Sequence, residues 1–414
     1  MERAVIIGLK GANAQTAELE TLSLSIGIET IKTFIVPLVK PRAAWLLGKG
    51  KTEEIIEWAI DQEADLIIFN PALSPSQQRN WEEASGLCVI DRHEVILEIF
   101  SQRATTREAA LQTGLARMEY SLPRLTRAWT HLSRQRGGTR GTRGEGETQL
   151  EVDRRIVLKK IARMKRDLEE IKKHRHIQRA KRMNKGVSSA CIVGYTNAGK
   201  SSLLNCLCGS DVQVEDKLFA TLDPTTRVLE LKNGMKLTLT DTVGFIRDLP
   251  HKLVQAFHST LEEAVLADFL IHVIDASDPD AAAHYQTTLE TLKEIKASDK
   301  RVLTVFNKID CLEDDEAHVF NIKRIQFEAQ TSVFCSVKTG EGIEELQSAI
   351  ETMLREGRAE TKFLFPPDQY KAVSRLHRDC EILKEDYVDE GVRITAVCAE
   401  NVLHRFSEYI IGQD

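Results

Sequence analysis

The sequence predicts a multi-domain α/β protein of 414 residues, a length that accommodates roughly two to four domains. Apolar, strand-like runs alternate with helical patterns in residues 1–104 and again in 186–358, which is typical of parallel sheets covered by helices. Between these stretches, in residues 105–185, apolar residues recur with heptad spacing, and this favours two long helices. Beyond Pro366-Pro367 the pattern changes again, so we expect a small α+β domain over residues 359–414.

The first hundred residues predict an N-terminal α/β domain with a parallel sheet, because strands and helices alternate. The predicted strands cover residues 4–8, 30–36, 65–69 and 87–90, and the predicted helices cover 14–26, 53–59 and 74–85. Gly48-Lys49-Gly50-Lys51-Thr52 resembles half of a phosphate-binding loop but lacks the first glycine at the required distance. We interpret it as a strand–turn–helix junction.

Two heptad stripes predict an antiparallel helical hairpin. They consist of Leu111, Leu115, Met118, Leu122 and Leu125, and of Leu150, Val157, Ile161, Met164, Leu168 and Ile171. Pro123 should end or kink the first helix. The loop between the helices, residues 134–144, is rich in glycine and arginine.

The hairpin region is strongly basic within an acidic chain. Residues 101–186 carry 23 Lys and Arg against 9 Asp and Glu, whereas the whole chain has a net charge of −6. Such a segment is either a solvated helix face or a surface that contacts a polyanion, and the Arg/Gly loop favours RNA. The candidate RNA-binding residues are Arg134, Arg136, Arg140, Arg143, Arg154 and Arg155.

A phosphate-binding loop (P-loop) is predicted at Gly194-Tyr195-Thr196-Asn197-Ala198-Gly199-Lys200-Ser201, which fits G-x-x-x-x-G-K-[ST]. A predicted strand at 189–193 precedes it, and a helix that Gly209 would close follows it. The helix N-terminus would present backbone N–H donors to the phosphates. Lys200 would reach the outer phosphates, and the Ser201 hydroxyl would bind Mg²⁺.

The other strands of this domain are predicted at residues 226–231, 235–240, 269–275, 301–306 and 331–335. Asn233-Gly234 joins the first two as an antiparallel hairpin. Directly after the second strand, Asp241-Thr242-Val243-Gly244 can hold Mg²⁺ through water and meet a γ-phosphate with the Gly244 N–H.

Guanine recognition is predicted at Asn307-Lys308-Ile309-Asp310, which ends another strand. The Asp310 carboxylate can accept from two guanine donors that adenine does not offer in that arrangement, so this position would reject ATP. Lys308 would pack over the base, and Asn307 would tie this loop to the P-loop. Ser336-Val337-Lys338, after the 331–335 strand, would contact the base through its backbone.

A switch loop is predicted at Phe219-Ala220-Thr221-Leu222-Asp223-Pro224-Thr225-Thr226, which should close on Mg²⁺ and the γ-phosphate. We choose Thr221 as the Mg²⁺ ligand, with Thr225 or Thr226 as alternatives. Phe245 stands where Ras-type enzymes carry the glutamine that orients the attacking water, and phenylalanine cannot hydrogen-bond water. We therefore expect slow intrinsic GTP hydrolysis unless a partner completes the site.

The sequence assigns no certain catalytic side chain. Lys200, Thr221 and Gly244 would stabilise the γ-phosphate, and Ser201 and Thr221, with Asp241 through water, would hold the metal. The predicted GTP-binding residues are Gly194, Tyr195, Thr196, Asn197, Ala198, Gly199, Lys200, Ser201, Ser202, Phe219, Ala220, Thr221, Leu222, Asp223, Asp241, Thr242, Val243, Gly244, Asn307, Lys308, Ile309, Asp310, Ser336, Val337 and Lys338.

The C-terminal region shows no site chemistry. A helix is predicted at residues 370–382, strands at 384–388 and 392–398, and a last helix from about Glu400.

These motifs resemble the HflX family of ribosome-associated GTPases, within the Obg–HflX superfamily. The resemblance extends upstream to Leu73-Ser74-Pro75-Ser76-Gln77, to Asp91-Arg92 and to residues 144–155, and it covers residues 66–340. Glu145 departs from the family, which usually has proline there, and its added negative charge should soften a loop used against RNA.

The resemblance implies a GTPase that binds the large (50S) ribosomal subunit and its rRNA and acts in ribosome splitting, rescue or biogenesis. It also suggests that Asn197 helps to hold K⁺ near the phosphates, although asparagine also simply caps such loops. The alternatives are an ATP-driven RNA remodeller that works through the N-terminal domain, an RNA-modifying enzyme regulated by GTP, and a GTP-regulated RNA-binding scaffold.

From composition we expect a cytoplasmic protein. The resemblance adds an expected association with ribosomes, and the remaining expectations are a monomer and, as an alternative, a peripheral association with membranes. The N-terminus is too short and charged for a signal peptide, and no apolar run approaches the length of a membrane span. The eight cysteines are scattered without a C-x-x-C motif, which is typical of reduced thiols.

Overall fold

The computed structural model of the chain describes residues 1–10, 16–38, 40–127, 143–183, 188–209, 219, 222–231, 236–247, 258–312, 316–356, 358–399 and 403–411. The chain divides into two compact units. The first contains Met1–Glu170 together with Phe219 and Leu222, and the second begins at Ile171. The predicted domain limits within these units stay predictions.

The first unit contains a four-stranded sheet in the order β2-β1-β3-β4. Its strands are β1 (Glu2–Lys10), β2 (Ile28–Pro37), β3 (Leu66–Phe69) and β4 (Cys88–Asp91), and its helices are α1 (Thr16–Ser25), α2 (Lys49–Asp61), α3 (Pro75–Ser85) and α4 (Arg92–Arg103). Each pair of neighbouring strands is parallel, which confirms the predicted α/β fold. The core includes Val5, Ile7, Ile67, Phe69, Trp81 and Val89.

Side chains in the family-like segments of this unit cap helices. Ser74 and Gln77 form a capping box at the start of α3. Asp91 accepts from two backbone N–H groups at the start of α4 and from the Leu73 N–H. Gly48 precedes the first turn of α2, which begins at Lys49, earlier than the predicted start at residue 53.

Two further helices of the chain follow, α5 (Arg107–Ser121) and α6 (Arg143–Met183). Pro123 lies in a 3₁₀ helix, Leu122–Arg127, directly after α5 ends, as its fixed φ and missing N–H predict. The two helices pack together: Lys165 Nζ lies 2.7 Å from Glu119 Oε1, and Ile161 is buried. Their antiparallel arrangement stays a prediction.

The second unit contains a six-stranded sheet in the order β10-β9-β8-β5-β7-β6. Its strands are β5 (Ser188–Gly194), β6 (Thr225–Glu230), β7 (Lys236–Asp241), β8 (Phe269–Asp275), β9 (Arg301–Asn307) and β10 (Thr331–Phe334). Only β6 runs antiparallel to its neighbour among these described strands, so the sheet is mixed and mostly parallel, as predicted.

Helices cover this sheet and complete its core. They are α7 (Lys200–Cys208), α8 (His258–Leu266), α9 (Ala281–Glu294), α10 (Glu316–Glu328) and α11 (Ile343–Glu356). The core includes Ile192, Leu203, Leu239, Ile271, Val305 and Ile350. The Asn233-Gly234 turn lies outside the described residues.

A third sheet, also in the second unit, is antiparallel and has the order β11-β13-β12. Its elements are β11 (Arg358–Phe365), α12 (Tyr370–Asp379), β12 (Glu381–Val388) and β13 (Gly391–Ala399). Strand β11 was not predicted from the sequence. The predicted last helix is instead a 3₁₀ helix, His404–Tyr409. None of the described helices has the length and apolarity needed to cross a membrane.

Candidate nucleotide-binding site

The P-loop connects β5 to α7, and two of its glycines are required by close contacts. Gly194 has a φ of 147°, and a Cβ there would lie 2.2 Å from the Val273 carbonyl oxygen. Gly199 has a φ of 94°, and a Cβ there would lie 2.3 Å from Asn307 Nδ2. Larger residues would be strained at both positions and would collide with neighbouring atoms.

Lys200 is the first residue of α7 and is 6% exposed. Its Nζ donates to the Tyr195 carbonyl oxygen at 2.7 Å, so the lysine braces the loop from inside. Burial lowers the pKa of Lys200 to about 8, and the Asp241 carboxylate opposes that shift. An anion at the N-terminus of α7 would meet this ammonium together with the backbone N–H groups of the first turn.

Ser201 and Asp241, the predicted metal-binding pair, place their side-chain oxygens together beside the loop. Ser201 Oγ donates to Asp241 Oδ2 at 2.6 Å, and Asp241 is the last residue of β7 and 1% exposed. Hydroxyl and carboxylate oxygens are the ligands that Mg²⁺ prefers, so this pair fits the metal predicted for the site.

The segment Gly244–Arg247, which we call switch II, lies directly against the P-loop. A Cβ on Gly244 would lie 2.8 Å from Thr196 Cα and 3.0 Å from Lys200 Nζ, so only glycine allows this approach. The Phe245 N–H donates to the Gly194 carbonyl at 3.0 Å, and the Thr196 N–H donates to the Phe245 carbonyl at 2.9 Å. The Phe245 side chain is 1% exposed.

Asn307 links the predicted base-binding loops to the P-loop. Its Nδ2 donates to the Ala198 carbonyl at 2.9 Å, and its Oδ1 accepts from the Val337 N–H at 3.2 Å. Next to it, Ser336 Oγ donates to Asp310 Oδ1 at 2.7 Å, and this hydrogen bond lowers the pKa of Asp310. The P-loop and the two predicted base-binding loops, which lie more than a hundred residues further along the chain, therefore meet at one edge of the sheet.

Two residues of this region were missed by the sequence analysis. Asp275 Oδ2 lies 2.7 Å from Lys308 Nζ, and Asp275 ends β8 opposite Asn307 of β9. Its position as a polar residue at a strand end was the signal that could have found it. His272, on the same strand, is 1% exposed, and burial together with the charge of Lys200 lowers its pKa to about 3.

The predicted switch loop is only partly described. Ala220 and Thr221 lie outside the described residues, while Phe219 and Leu222 are buried in the first unit, with the Phe219 ring 4.7 Å from that of Phe100. The alternative metal ligands, Thr225 and Thr226, belong to β6.

Each alternative threonine has a partner on β7. Thr225 pairs with Asp241, and the Thr226 hydroxyl lies 2.9 Å from that of Thr240. Asn197 is exposed with a φ of 60°, and its role toward K⁺ stays a prediction.

The predicted RNA-binding residues fall mostly outside the described part of the chain. Arg134, Arg136 and Arg140 lie in the undescribed 128–142 segment, and Arg143 is the first residue of α6. Arg154 and Arg155 are exposed on α6.

Comparison with known families agrees with this geometry. Residues 189–308 match the family described as 50S ribosome-binding GTPase. Residues 13–101 match the GTP-binding GTPase N-terminal family, and residues 103–182 match the GTP-binding GTPase Middle Region.

Curated relatives extend the match over nearly the whole chain. GTPase HflX of Akkermansia muciniphila is 48% identical over 391 residues, covering 93% of this chain and 90% of that protein. GTPase HflX of Escherichia coli K12 is 41% identical over 374 residues, covering 90% and 87%. A GTP-binding protein of Sulfolobus solfataricus, solved in complex with GDP, is 26% identical and covers 85% of this chain and 98% of that one, with a TM-score of 0.45. The chain therefore belongs to the HflX family of GTPases, which hydrolyse GTP to GDP and phosphate.

Proposed function

We propose that this GTPase binds Mg²⁺-GTP at the P-loop, associates with the large ribosomal subunit, and is stimulated by it to hydrolyse GTP in ribosome splitting, rescue or biogenesis. The observation that carries the proposal is the juxtaposition of the P-loop, switch II and the Asn307–Asp310 loop at one sheet edge, in a segment similar to 50S ribosome-binding GTPases.

The nucleotide would be held by groups from three loops. The N–H groups at the start of α7 and the Lys200 ammonium would bind the phosphates, and the Asp310 carboxylate would accept from guanine. Ser201 would bind Mg²⁺ directly, Asp241 through water, and Thr221 from the switch loop. When bound, Mg²⁺ neutralises charge on the phosphate oxygens.

Hydrolysis without a partner should be slow. The Phe245 side chain is buried and cannot hydrogen-bond water, so it cannot replace the glutamine that orients the attacking water in Ras-type enzymes. A partner that orients this water would supply the function that Phe245 cannot. The rate of GTP hydrolysis would then depend on whether the partner is bound.

The surplus of basic residues in 101–186 supports an RNA-rich partner. Arg154 and Arg155 are exposed on the basic helix α6 and are available to contact phosphates. The description of the family matched by residues 189–308 names the 50S ribosome as the partner of its members. Both observations favour rRNA of the large subunit over other polyanions.

Co-sedimentation with purified large subunits tests the proposal. We expect the chain to pellet with the subunits when loaded with a non-hydrolysable GTP analogue and to be released with GDP. The Arg154→Gln/Arg155→Gln double variant should reduce the slope of log affinity against log salt by about two. The matched control, Lys49→Gln/Lys51→Gln on α2, should leave it unchanged. Association that survives Lys200→Ala and ignores the nucleotide would instead indicate a scaffold.

A further inference from the structure

Switch II is held by the P-loop at a third point besides the two backbone hydrogen bonds of Phe245. The Arg247 N–H donates to the Tyr195 side-chain hydroxyl at 3.0 Å. Tyr195 is the second residue of the P-loop, so the loop that faces the phosphates also carries a side chain that fixes the far end of switch II. The Arg247 guanidinium lies 3.5 Å from Asp280 Oδ2, just before α9.

The position of the Tyr195 ring is set by helix α9. Tyr195 is 7% exposed, and its ring stacks flat on the His284 imidazole, with centroids 3.6 Å apart and an interplanar angle of 12°. His284 Nδ1 lies 3.3 Å from Asp278 Oδ2, and the Asp280 N–H donates to the Asp278 carboxylate at 2.8 Å. The imidazole under Tyr195 is therefore itself fixed by the turn that begins α9.

At position 245, switch II has only backbone groups with which to make hydrogen bonds. Because the Phe245 ring is buried, this residue offers no side-chain group to the γ-phosphate. The Gly244 N–H is a main-chain group that switch II can offer there instead. Gly244 lies in contact distance of Thr196 and Lys200, and its direction depends on how the residues after it are held. A displacement of about 1 Å at such a group is enough to slow a reaction substantially.

We propose that the Tyr195 hydroxyl and the His284 ring are positioning residues that hold switch II against the P-loop during GTP hydrolysis. Tyr195 connects the two loops, and His284 orients Tyr195 from helix α9. The competing explanation is that the stacked rings are only core packing. In that case the hydroxyl hydrogen bond to Arg247 would have no effect on turnover.

Tyr195→Phe separates the two explanations, because it keeps the stacked ring and removes only the hydrogen bond. We expect kcat in the full-length chain to fall about three- to tenfold, as expected for one hydrogen bond, with KM for GTP unchanged. Tyr285→Phe is the matched control, since Tyr285 is also buried at α9 but stacks on His272, and it should keep the wild-type kcat. A Tyr195→Phe kcat equal to that control, a higher kcat, or a rise in KM that accounts for the loss would overturn the proposal.

The His284 contribution has its own test. His284→Ala should lower kcat in the same way, and His284→Phe, which keeps a flat ring under Tyr195, should restore most of it. Hydrogen exchange of the Arg247 amide in the GDP complex gives a direct readout, and it should be faster in Tyr195→Phe and His284→Ala than in Tyr285→Phe. Unchanged exchange, or His284→Phe no better than His284→Ala, would contradict the assigned roles.

Discussion

At the residue scale, the predicted recognition of guanine depends on one carboxylate, that of Asp310, which Ser336 contacts at 2.7 Å. The Ser336 hydroxyl donates to one oxygen of Asp310, and the hydrogen bond stabilises the charged form of the carboxylate. The fixed carboxylate suits a base that presents two parallel donors. An amide in its place would offer one donor and one acceptor, and would therefore suit xanthine, which carries an oxygen where guanine carries its amino group.

The first prediction is that Asp310→Asn weakens GTP binding about 10- to 100-fold, as expected for lost hydrogen bonds to a charged group, and gains use of xanthosine triphosphate. Competition of both nucleotides against labelled GDP measures this. Asp299→Asn, an exposed residue outside the three loops, is the control and should bind as the wild type does. Unchanged preference in Asp310→Asn would place the base pocket elsewhere.

The second prediction concerns Lys200, whose pKa burial lowers to about 8. Below that pH the free protein carries the positive charge that attracts phosphate, and above it the lysine must be reprotonated on binding. GTP affinity should therefore be level below pH 7 and about tenfold weaker at pH 9 than at pH 7.

Guanosine is the matched control ligand for Lys200, because it lacks phosphates and shares the base. The affinity for guanosine should not follow the pH dependence of the affinity for GTP. Because both ligands contain guanine, titration of the base affects both alike and cancels in the comparison. Equal pH profiles for guanosine and GTP would show that Lys200 does not carry the effect.

At the scale of elements, β11 shows what fixes the small antiparallel sheet. Its alternate residues Phe363 and Phe365 are both fully buried, and Phe363 pairs with Ile394 of β13. Both phenylalanine rings also face Phe406 of the following 3₁₀ helix, with edge-on geometry. This sheet therefore depends on a strand that precedes the Pro366-Pro367 pair.

The third prediction is that Phe363→Ala lowers the free energy of unfolding of this region by about 3–5 kcal/mol, the usual cost of emptying a buried phenylalanine site. Native-state cleavage by thermolysin within residues 358–411 should become much faster. Phe327→Ala is the control, since Phe327 is 92% exposed and its removal leaves no cavity. Equal cleavage of both variants would mean that β11 does not stabilise the sheet.

The sequence predicted the helices and strands correctly where a local pattern of residues determines the element. The parallel strands of both α/β sheets and the break at Pro123 were predictable, because apolar runs and proline geometry are local properties. β11 was missed because the charged residues Arg358, Glu360 and Lys362 interrupt the apolar run that would have indicated a strand. An alternation of two from Ala359 to Phe365 was the available signal.

The site residues also fall into those that a local motif predicts and those that it does not. Asp241 and Asn307 were predictable because each opens a motif at a strand end, and parallel strands bring such ends together. Asp275 ends a strand without a motif around it, and the stacking of Tyr195 on His284 joins residues 89 positions apart. No local pattern encodes such a tertiary contact.

At the scale of the whole molecule, the excess of basic residues and the predicted nucleotide-binding motifs lie in different parts of the chain. The basic surplus lies in residues 101–186, whereas the P-loop, switch II and the base-binding loops lie in residues 194–338. One region is suited to a polyanion and the other to a nucleotide. If the proposed function holds, binding of a polyanion to the basic region changes the rate of GTP hydrolysis at the nucleotide-binding loops.

Single-turnover GTP hydrolysis with and without purified large ribosomal subunits tests this dependence most directly. We expect slow hydrolysis by the free protein and an acceleration on the order of tenfold or more at saturating subunits, because a partner supplies the water orientation that Phe245 cannot. Heat-treated subunits and Lys200→Ala are the controls and should give no acceleration. An unchanged rate at saturating subunits, with GTP binding intact, would contradict the proposed stimulation by the large subunit.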